Sequence, residues 1–463
     1  MIHVSIQYNQ YRKYYQSPDC TTTGEAFYQD YLYKDKKLIQ LISSCETEEQ
    51  FIDRLKQLNG FYALIKHSGQ KLFAAVDRMR SIPLFYGQKG NDFFLSDSAE
   101  WVRQQVENIE MDTLAREEFL LTGYVTGPDA LFPDVKQLQA GEALTVMDNG
   151  KKMIVKTIRY YRFVHEYETQ RSMEDLIEEH DQVLLRVFKR LIQLADGRTI
   201  VVPLSGGYDS RLIVLMLKRL EYDNIITFSY GRPGNKESNE SHKVAESLGL
   251  RWEFVEYSNK LWYEWYHSEE YSHYSKFANG LASLPHIQDW PAVWQLKNKN
   301  LIPNDSIFVT GHTPMLSLVG KPTLGKSSAN AILNKHYSLW DIDPKLKQLI
   351  NARIKNNLNN QLNYSIDDLH RFYLWECTER QSKFIANAVR VYEFWGYEWY
   401  LPFWDAEFFN FCLNLGKEKM YHKSFFKKVV DELYFSYTSV DFKWHNDFLE
   451  ITNEFFWVMY IVM

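Results

Sequence analysis

The stretch that most constrains this chain is "TIVVPLSGGYDSRLIVLMLKRL", residues 199–220. A run of β-branched residues stops at Ser205-Gly206-Gly207-Tyr208-Asp209-Ser210, and apolar residues then resume at helical spacing. The pattern predicts a buried strand over Thr199–Leu204, a tight turn, and a helix carrying Leu212, Leu215, Met216 and Leu220 on one face. Two glycines let the backbone turn with its N–H groups converging, and the first helical turn adds unsatisfied donors and the positive end of the helix dipole. Such a turn is built to hold an anion. Ser205 and Ser210 offer two more donors. Asp209 beside a phosphate would be repelled unless a divalent cation bridged the charges, which makes it a natural Mg²⁺ ligand. The plain alternative is a βα turn whose glycines serve geometry alone. The GxxxxGK[ST] pattern of a Walker loop is absent.

The texture of the chain changes near residue 165. Before it, short alternating runs such as "GFYALIKHSGQKLFAAVDR", "IPLFYGQKGNDFFLSDS" and "GEALTVMDNGKKMIVKTI" read as a mostly β layer. After it, helix-period segments alternate with the buried-strand runs "TIVVPL", "NIITFSY", "RWEFVEY" and "SIFVTG", the signature of an open parallel sheet. The expectation is an α+β unit over residues 1–165 and an α/β unit over 166–463, with the boundary in "RYYRFVHEYETQ". No internal repeat or low-complexity segment interrupts either.

A length of 463 residues allows such a pair of domains. The net charge of −6 contains no Lys/Arg block, which argues against a nucleic-acid partner. With 31 Tyr, 29 Phe and 13 Trp, most rings must be core. Cys20, Cys45, Cys377 and Cys412 form no CxxC, so reduced thiols and a cytoplasmic location are expected. The N-terminus turns polar too early for a signal peptide, and the tail "FFWVMYIVM" is too short to span a bilayer; it is expected to pack as a last helical turn or strand.

The loop resembles the SGGxDS pyrophosphate loop of the ATP pyrophosphatases. "TFSYGRPGNKESNESHKVAESLGL" and "RVYEFWGYEWYLPFWDAEFFNF" narrow the resemblance to asparagine synthetase and its relatives, β-lactam synthetase and lasso-peptide cyclases among them. "LNGFYALI", "VDRMRSIPLFYG" and "FLSDSAEWV" resemble that family's class II glutamine amidotransferase half. The resemblance implies an Ntn-hydrolase-like αββα sandwich followed by a Rossmann-like parallel domain with helical extensions. It also implies ATP and Mg²⁺, with the nucleotide held by Leu204, Ser205, Gly206, Gly207, Tyr208, Asp209, Ser210, Tyr230 and Gly311, and the metal by Asp209. The family's late lysine maps onto Lys427, with Lys423 a turn earlier as rival, although lysine runs are commonly solvated faces.

Two departures matter. Glutamine hydrolysis in the family needs a cysteine after the initiator Met, whereas this chain reads Met1-Ile2-His3, and no NGE-type segment is found before "LNGFYAL". The first half is therefore expected to be degenerate, with His3 an ordinary strand residue rather than a nucleophile. Where relatives carry a GEGSDE-like loop, this chain has "VTGHTPMLSLVG", placing His312 at a glutamate and Met315 at a metal-binding aspartate. A Met offers no oxygen to Mg²⁺. His312, with an unperturbed pKa near neutral, is the expected general base, against a plain loop role.

The implied reaction is adenylation of a carboxylate followed by amide formation with an amine from a source other than glutamine. Family analogy points to a uronic acid of a bacterial surface polysaccharide. Two regions are expected to select substrate. One holds Trp262, Trp265, His286 and Asp289; the other holds Arg380, Lys383, Arg390 and Glu393. Aromatic stripes at helical spacing are also ordinary core. The expected partners are small-molecule carboxylates and amines, sugar-linked ones included, and a second copy of the chain; no nucleic acid and no stable membrane insertion. Rival readings are a lasso- or β-lactam-type cyclase and a nucleotide-binding scaffold without activity. A tRNA-modifying role is disfavoured by the acidic charge.

Overall fold

The computed structural model describes residues 1–164, 171–312, 327–361, 366–415, 419 and 424–435. The first half holds eleven strands: β1 (Ile2–Ser5), β2 (Tyr15–Gln16), β3 (Cys20–Tyr28), β4 (Tyr31–Lys34), β5 (Asn59–Ser68), β6 (Lys71–Val76), β7 (Phe85–Lys89), β8 (Asp92–Ser96), β9 (Lys136–Gln137), β10 (Glu142–Asp148) and β11 (Met153–Arg159). They form a seven-stranded sheet ordered β11-β10-β6-β5-β3-β2, with β4 beside β3, and a four-stranded sheet ordered β1-β8-β7-β9.

Alternation along the strands decides how these sheets stack. In β5, Phe61, Ala63 and Ile65 join the large core, which also contains Phe93 and Leu95 of β8. The intervening Tyr62 and Leu64 face the other way, onto Leu38, Ile42, Phe51 and Leu55 of helices Asp35–Ser43 and Glu48–Gln57. Phe94 of β8 turns outward to Val102 and Val106 of helix Ala99–Val106. Helices therefore cover the outer face of each sheet, the expected αββα arrangement. His3 sits in β1, with Nε2 3.0 Å from Asp92 Oδ1 and its ring stacked on Phe94.

The second half is built on five parallel strands, β12 (Ile200–Pro203), β13 (Ile225–Gly231), β14 (Arg251–Glu256), β15 (Ile307–Val309) and β16 (Glu398–Tyr400), ordered β14-β13-β12-β15-β16. After β12 the chain winds to β13 and β14 on one side, then returns to β15 on the other. The strand order reverses at β12/β15, so the crevice at their carboxyl ends is where an open α/β sheet binds ligands. Helix Tyr208–Arg219 buries every residue from Ser210 to Leu217, so it is sheathed on all sides rather than amphipathic as the spacing predicted. Glu376–Ile385 is π-helical, and the strand β16 was not legible in the sequence.

The two halves share one core. Phe61 packs against Trp399 and Tyr400, and Phe163 against Trp404 and Phe409. The expected boundary at 165/166 falls on residues outside those described, as do Met315, Lys423 and the apolar tail. No helix among the described residues is long and apolar enough to cross a membrane.

One core residue carries a pH prediction. His180, on helix Met173–Ala195, is fully buried with its ring 5.6–6.5 Å from those of Phe408, Phe411, Phe425, Phe426 and Tyr434. Neither ring nitrogen has a hydrogen-bond partner among the described residues, and burial lowers the pKa to about 4. The unfolded chain then takes up a proton that the native chain refuses, so stability falls as pH drops from about 6.5 towards 4. His180→Phe is expected to remove about 2–3 kcal/mol of the loss between pH 7 and 4.5, read from urea unfolding at both pH values. An unchanged pH dependence in the variant assigns the loss elsewhere.

Candidate active site

The loop after β12 holds its own shape through its hydroxyls. Ser205 N donates to Ser210 Oγ at 3.0 Å, Gly207 N donates to Ser205 Oγ at 3.1 Å, and the two hydroxyl oxygens lie 3.0 Å apart. This corrects the expectation that both serines point at a ligand: Ser210 is buried and closes the turn. The helix that follows has Gly207 at its N-cap with no side-chain cap, so the positive end of its dipole faces the crevice. Leu204 has its side chain in the core and offers a ligand only its backbone.

Two glycines keep the crevice open. A Cβ at Gly206 would overlap the Glu240 carboxylate, and one at Gly311 would come 3.0 Å from Asp209 Cβ and 3.1 Å from Ser210 N. Gly311 thus brings the β15 end against the helix start, setting Asp209 between loop and strand. Glu240, on helix Lys236–Ser247, stands over Gly206 as a second carboxylate at the turn. The acidic character of that helix was visible in the sequence, but the placement of this one side chain was not.

At the strand ends, Asp289 accepts hydrogen bonds from Tyr230 at 2.6 Å and Tyr392 at 2.5 Å. Tyr230 stacks on Tyr257, with ring centroids 4.9 Å apart. The Tyr230 hydroxyl is thereby taken up internally, and burial raises its pKa well above the ordinary value. Asp289 anchors this aromatic wall rather than standing ready for substrate. His312 Nδ1 lies 2.8 Å from Thr310 Oγ1, and loss of solvation, aided by His286 and opposed by Asp289, lowers its pKa to about 4. The expected near-neutral pKa is corrected: the imidazole is neutral throughout the physiological range and a weaker base than assumed. His286 is lowered by burial too, and its Nδ1 is buried without a partner among the described residues.

The C-terminal end of the described chain closes over the loop. Tyr208 donates to Asp431 Oδ2 at 3.0 Å and packs against Phe435, while the buried Arg211 lies over both the Tyr208 and Phe435 rings. Arg211 was not singled out in the sequence, where it reads as one more helical cation. Lys427 sits half-buried on helix Ser424–Val429, directly before this covering segment Val430–Phe435.

The second substrate region resolves into a seam between the halves. Lys383 donates to the carbonyls of Val125 at 3.0 Å and Gly127 at 2.6 Å, and pairs with Glu379 at 2.5 Å. Arg390 bonds the Ser81 carbonyl and pairs with Glu393, which is held by Arg12 and by Trp399 Nε1 at 2.8 Å. Charges engaged this fully inside the protein are not available to select a substrate, so Lys383, Arg390 and Glu393 are corrected to structural roles. Arg380 is half-buried beside Glu376. Trp265 is core, and Trp262 packs against it.

Phosphate and a divalent cation fit what is present: a helix N-terminus without a side-chain cap, glycines where a Cβ would intrude, and the carboxylates of Asp209 and Glu240. Among the described residues, no group of three or more His, Cys, Asp or Glu side chains could hold a metal unaided.

Comparison with known proteins adds to this geometry. A glutamine amidotransferase domain model matches residues 45–161, and an asparagine synthase model matches residues 190–286. No curated protein sequence matches the chain. Among solved structures, an NH3-dependent NAD synthetase from Campylobacter jejuni subsp. jejuni NCTC 11168, in complex with a nitrate ion, is similar at 14% identity. The match covers 42% of this chain and 99% of that one, with a TM-score of 0.23. The U34-tRNA thiolase NcsA from Methanococcus maripaludis, with its 4Fe-4S cluster, is similar at 12% identity over 41% of this chain and 75% of that one, with a TM-score of 0.21.

Proposed function

We propose, from the premise that the chain belongs to the asparagine synthetase family, that it is an ATP-dependent ligase that adenylates a small-molecule carboxylate and passes the acyl group to an amine. The observation that carries this reading is the Ser205–Ser210 loop, set at a helix N-terminus without a side-chain cap where the strand order reverses. A carboxylate oxygen attacks the α-phosphorus of ATP and pyrophosphate leaves. The amine nitrogen then attacks the acyl carbon, AMP leaves, and the amine's proton passes to a base. Loop N–H groups hold the departing phosphates, and Lys427 supplies positive charge as negative charge builds on them. Asp209, with Glu240 beside the turn, would hold Mg²⁺, which would supply charge neutralisation on the phosphate oxygens. His312, neutral and tethered to Thr310, accepts the amine proton.

The amine is not made from glutamine in this chain. All four cysteines are buried, and burial raises the thiol of Cys20 to about 12 and that of Cys377 well above its ordinary value. None is poised as a thiolate nucleophile. A uronic acid of a surface polysaccharide is the acid we propose on family analogy.

Incubation with Mg²⁺-ATP, a panel of uronic and amino acids and ammonium tests the reading. Pyrophosphate release should depend on the acid, and ¹⁸O from the labelled carboxylate should appear in AMP. Absence of both, under every acid and amine tried, defeats it. Glu240 over Gly206 favours a second reading, an inactive scaffold, because a carboxylate at an anion site repels phosphate. Calorimetry with Mg²⁺-ATP separates the two: the ligase binds the nucleotide, and a scaffold whose turn repels phosphate gives no heat.

A further inference from the structure

The segment that covers the nucleotide loop presents three residues in line. Lys427, Asp431 and Phe435 stand four apart, on helix Ser424–Val429 and the π-helical stretch Val430–Phe435 that continues it. Residues at that spacing share one face of a helix, and the wider π register keeps them on the same side. The neighbouring line is different. Lys428 reaches Glu432 at 4.0 Å with the two side chains 48% and 56% exposed, which is a solvated face. Lys427 and Asp431 are half-buried and Phe435 is buried. Burial thus separates Lys427 from the lysine beside it, which the sequence run alone could not do.

Two members of the line touch one residue of the loop. Tyr208 donates from its hydroxyl to Asp431 Oδ2 at 3.0 Å, and its ring centroid lies 5.4 Å from that of Phe435. Tyr208 opens the helix that follows Gly206-Gly207, and Arg211 fixes it there. The Arg211 guanidinium lies 4.1 Å from the Phe435 ring and 5.2 Å from the Tyr208 ring, while its Nε donates to the Gly207 carbonyl at 3.2 Å. The face that carries Lys427 is therefore turned towards the start of this helix, with Lys427 one turn from Asp431 along it.

The segment has a second set of anchors elsewhere. Phe425 and Phe426 pack on His180, and Tyr434 donates to Asp181 at 2.6 Å, both on helix Met173–Ala195. These contacts seat the segment on the domain, and the Tyr208 bond sets which way its Lys427 face is turned. We infer that Tyr208 and Asp431 are positioning residues: the bond between them holds Lys427 over the phosphate loop, so the loop places the cation that serves it. The inference rests on the ligase reading, in which Lys427 meets the charge that builds on the departing phosphates. A lysine held in place before that charge develops needs no rearrangement when it does.

Tyr208→Phe removes the hydroxyl and keeps the ring against Phe435 and Arg211, so the variant should fold as the parent does. It is expected to lower kcat for acid-dependent pyrophosphate release about tenfold, with KM for ATP within about threefold of the parent. Asp431→Ala should lose as much, and Asp431→Asn, which keeps an acceptor oxygen, should stay within about threefold of the parent. In a Lys427→Ala background, adding Tyr208→Phe should change kcat by less than about twofold, because the cation being placed is gone. Hydrogen exchange of the peptide spanning 424–435, followed by mass spectrometry without nucleotide, should be about tenfold faster in Tyr208→Phe. Unchanged exchange, an unchanged kcat in Tyr208→Phe or Asp431→Ala, or a full further loss in the Lys427→Ala background overturns the positioning role alone; in the last case the hydroxyl acts without the lysine. A parent chain that releases no pyrophosphate, with exchange still quickened in the variant, defeats the ligase reading and takes the positioning role with it.

Discussion

Asp209→Asn is expected to lower acid-dependent pyrophosphate release by about 10²–10³-fold, equivalent to about 2.7–4 kcal/mol of transition-state stabilisation, while leaving the fold in place. Asn keeps the size and hydrogen-bonding reach of the side chain but removes the charge. That charge stands in the first helical turn, pressed against Gly311, where phosphate would also lie. Without it, Glu240 is the carboxylate left at the turn among the described residues, and it belongs to a different helix. The structural contribution of Asp209 is smaller: an acidic residue in a first turn stabilises a helix by about 0.3–1 kcal/mol. The unfolding midpoint should therefore shift little while the rate collapses, and Mg²⁺-ATP should bind more weakly by calorimetry. A variant that releases pyrophosphate within about threefold of the parent chain would remove Asp209 from the reaction and with it the bridging-cation argument.

The legible parts of this molecule are those whose cause is local. A strand buried on both faces shows as the apolar run Ile200–Val202, and the glycine turn follows within a few residues, so the loop and its place at a strand end could be read directly. The short apolar runs Phe61–Ile65 and Leu72–Val76 did the same for β5 and β6. What escaped depends on contacts distant in sequence. Glu393 reads as a free charge among aromatics until Arg12, 381 residues earlier, is folded against it. Lys383 reads likewise until the Val125–Gly127 backbone supplies its acceptors. His312 has an ordinary pKa in any sequence window, and only its surroundings lower it to about 4. The π-helical register of Glu376–Ile385 has no propensity signal, because its residues would suit an α-helix equally well.

The same long-range logic makes Asp405 the residue whose loss should cost the fold most. Its carboxylate is wholly buried and takes a bidentate pair from Arg190, with Nε and Nη2 each at 2.8 Å. Asn59 of β5 donates to it at 3.0 Å and at the same time accepts from Ala406 N at 2.8 Å, so one buried charge fastens the first half of the chain to the second. Asp405→Ala leaves a guanidinium only 9% exposed with Glu407 as its remaining carboxylate. Removing one member of a buried pair typically destabilises by about 3–5 kcal/mol, a large share of the roughly 5–15 kcal/mol that holds a folded chain together. The expected result is an unfolding free energy lowered by that amount in urea titration, with the amidotransferase-like half losing cooperativity with the rest. Arg190→Met/Asp405→Leu, which removes both charges, should recover much of the loss, since the desolvation penalty disappears with the pair. If Asp405→Ala unfolds within about 1 kcal/mol of the parent, or the double variant is no better than the single, the two halves are held by the shared aromatic core and not by this charge.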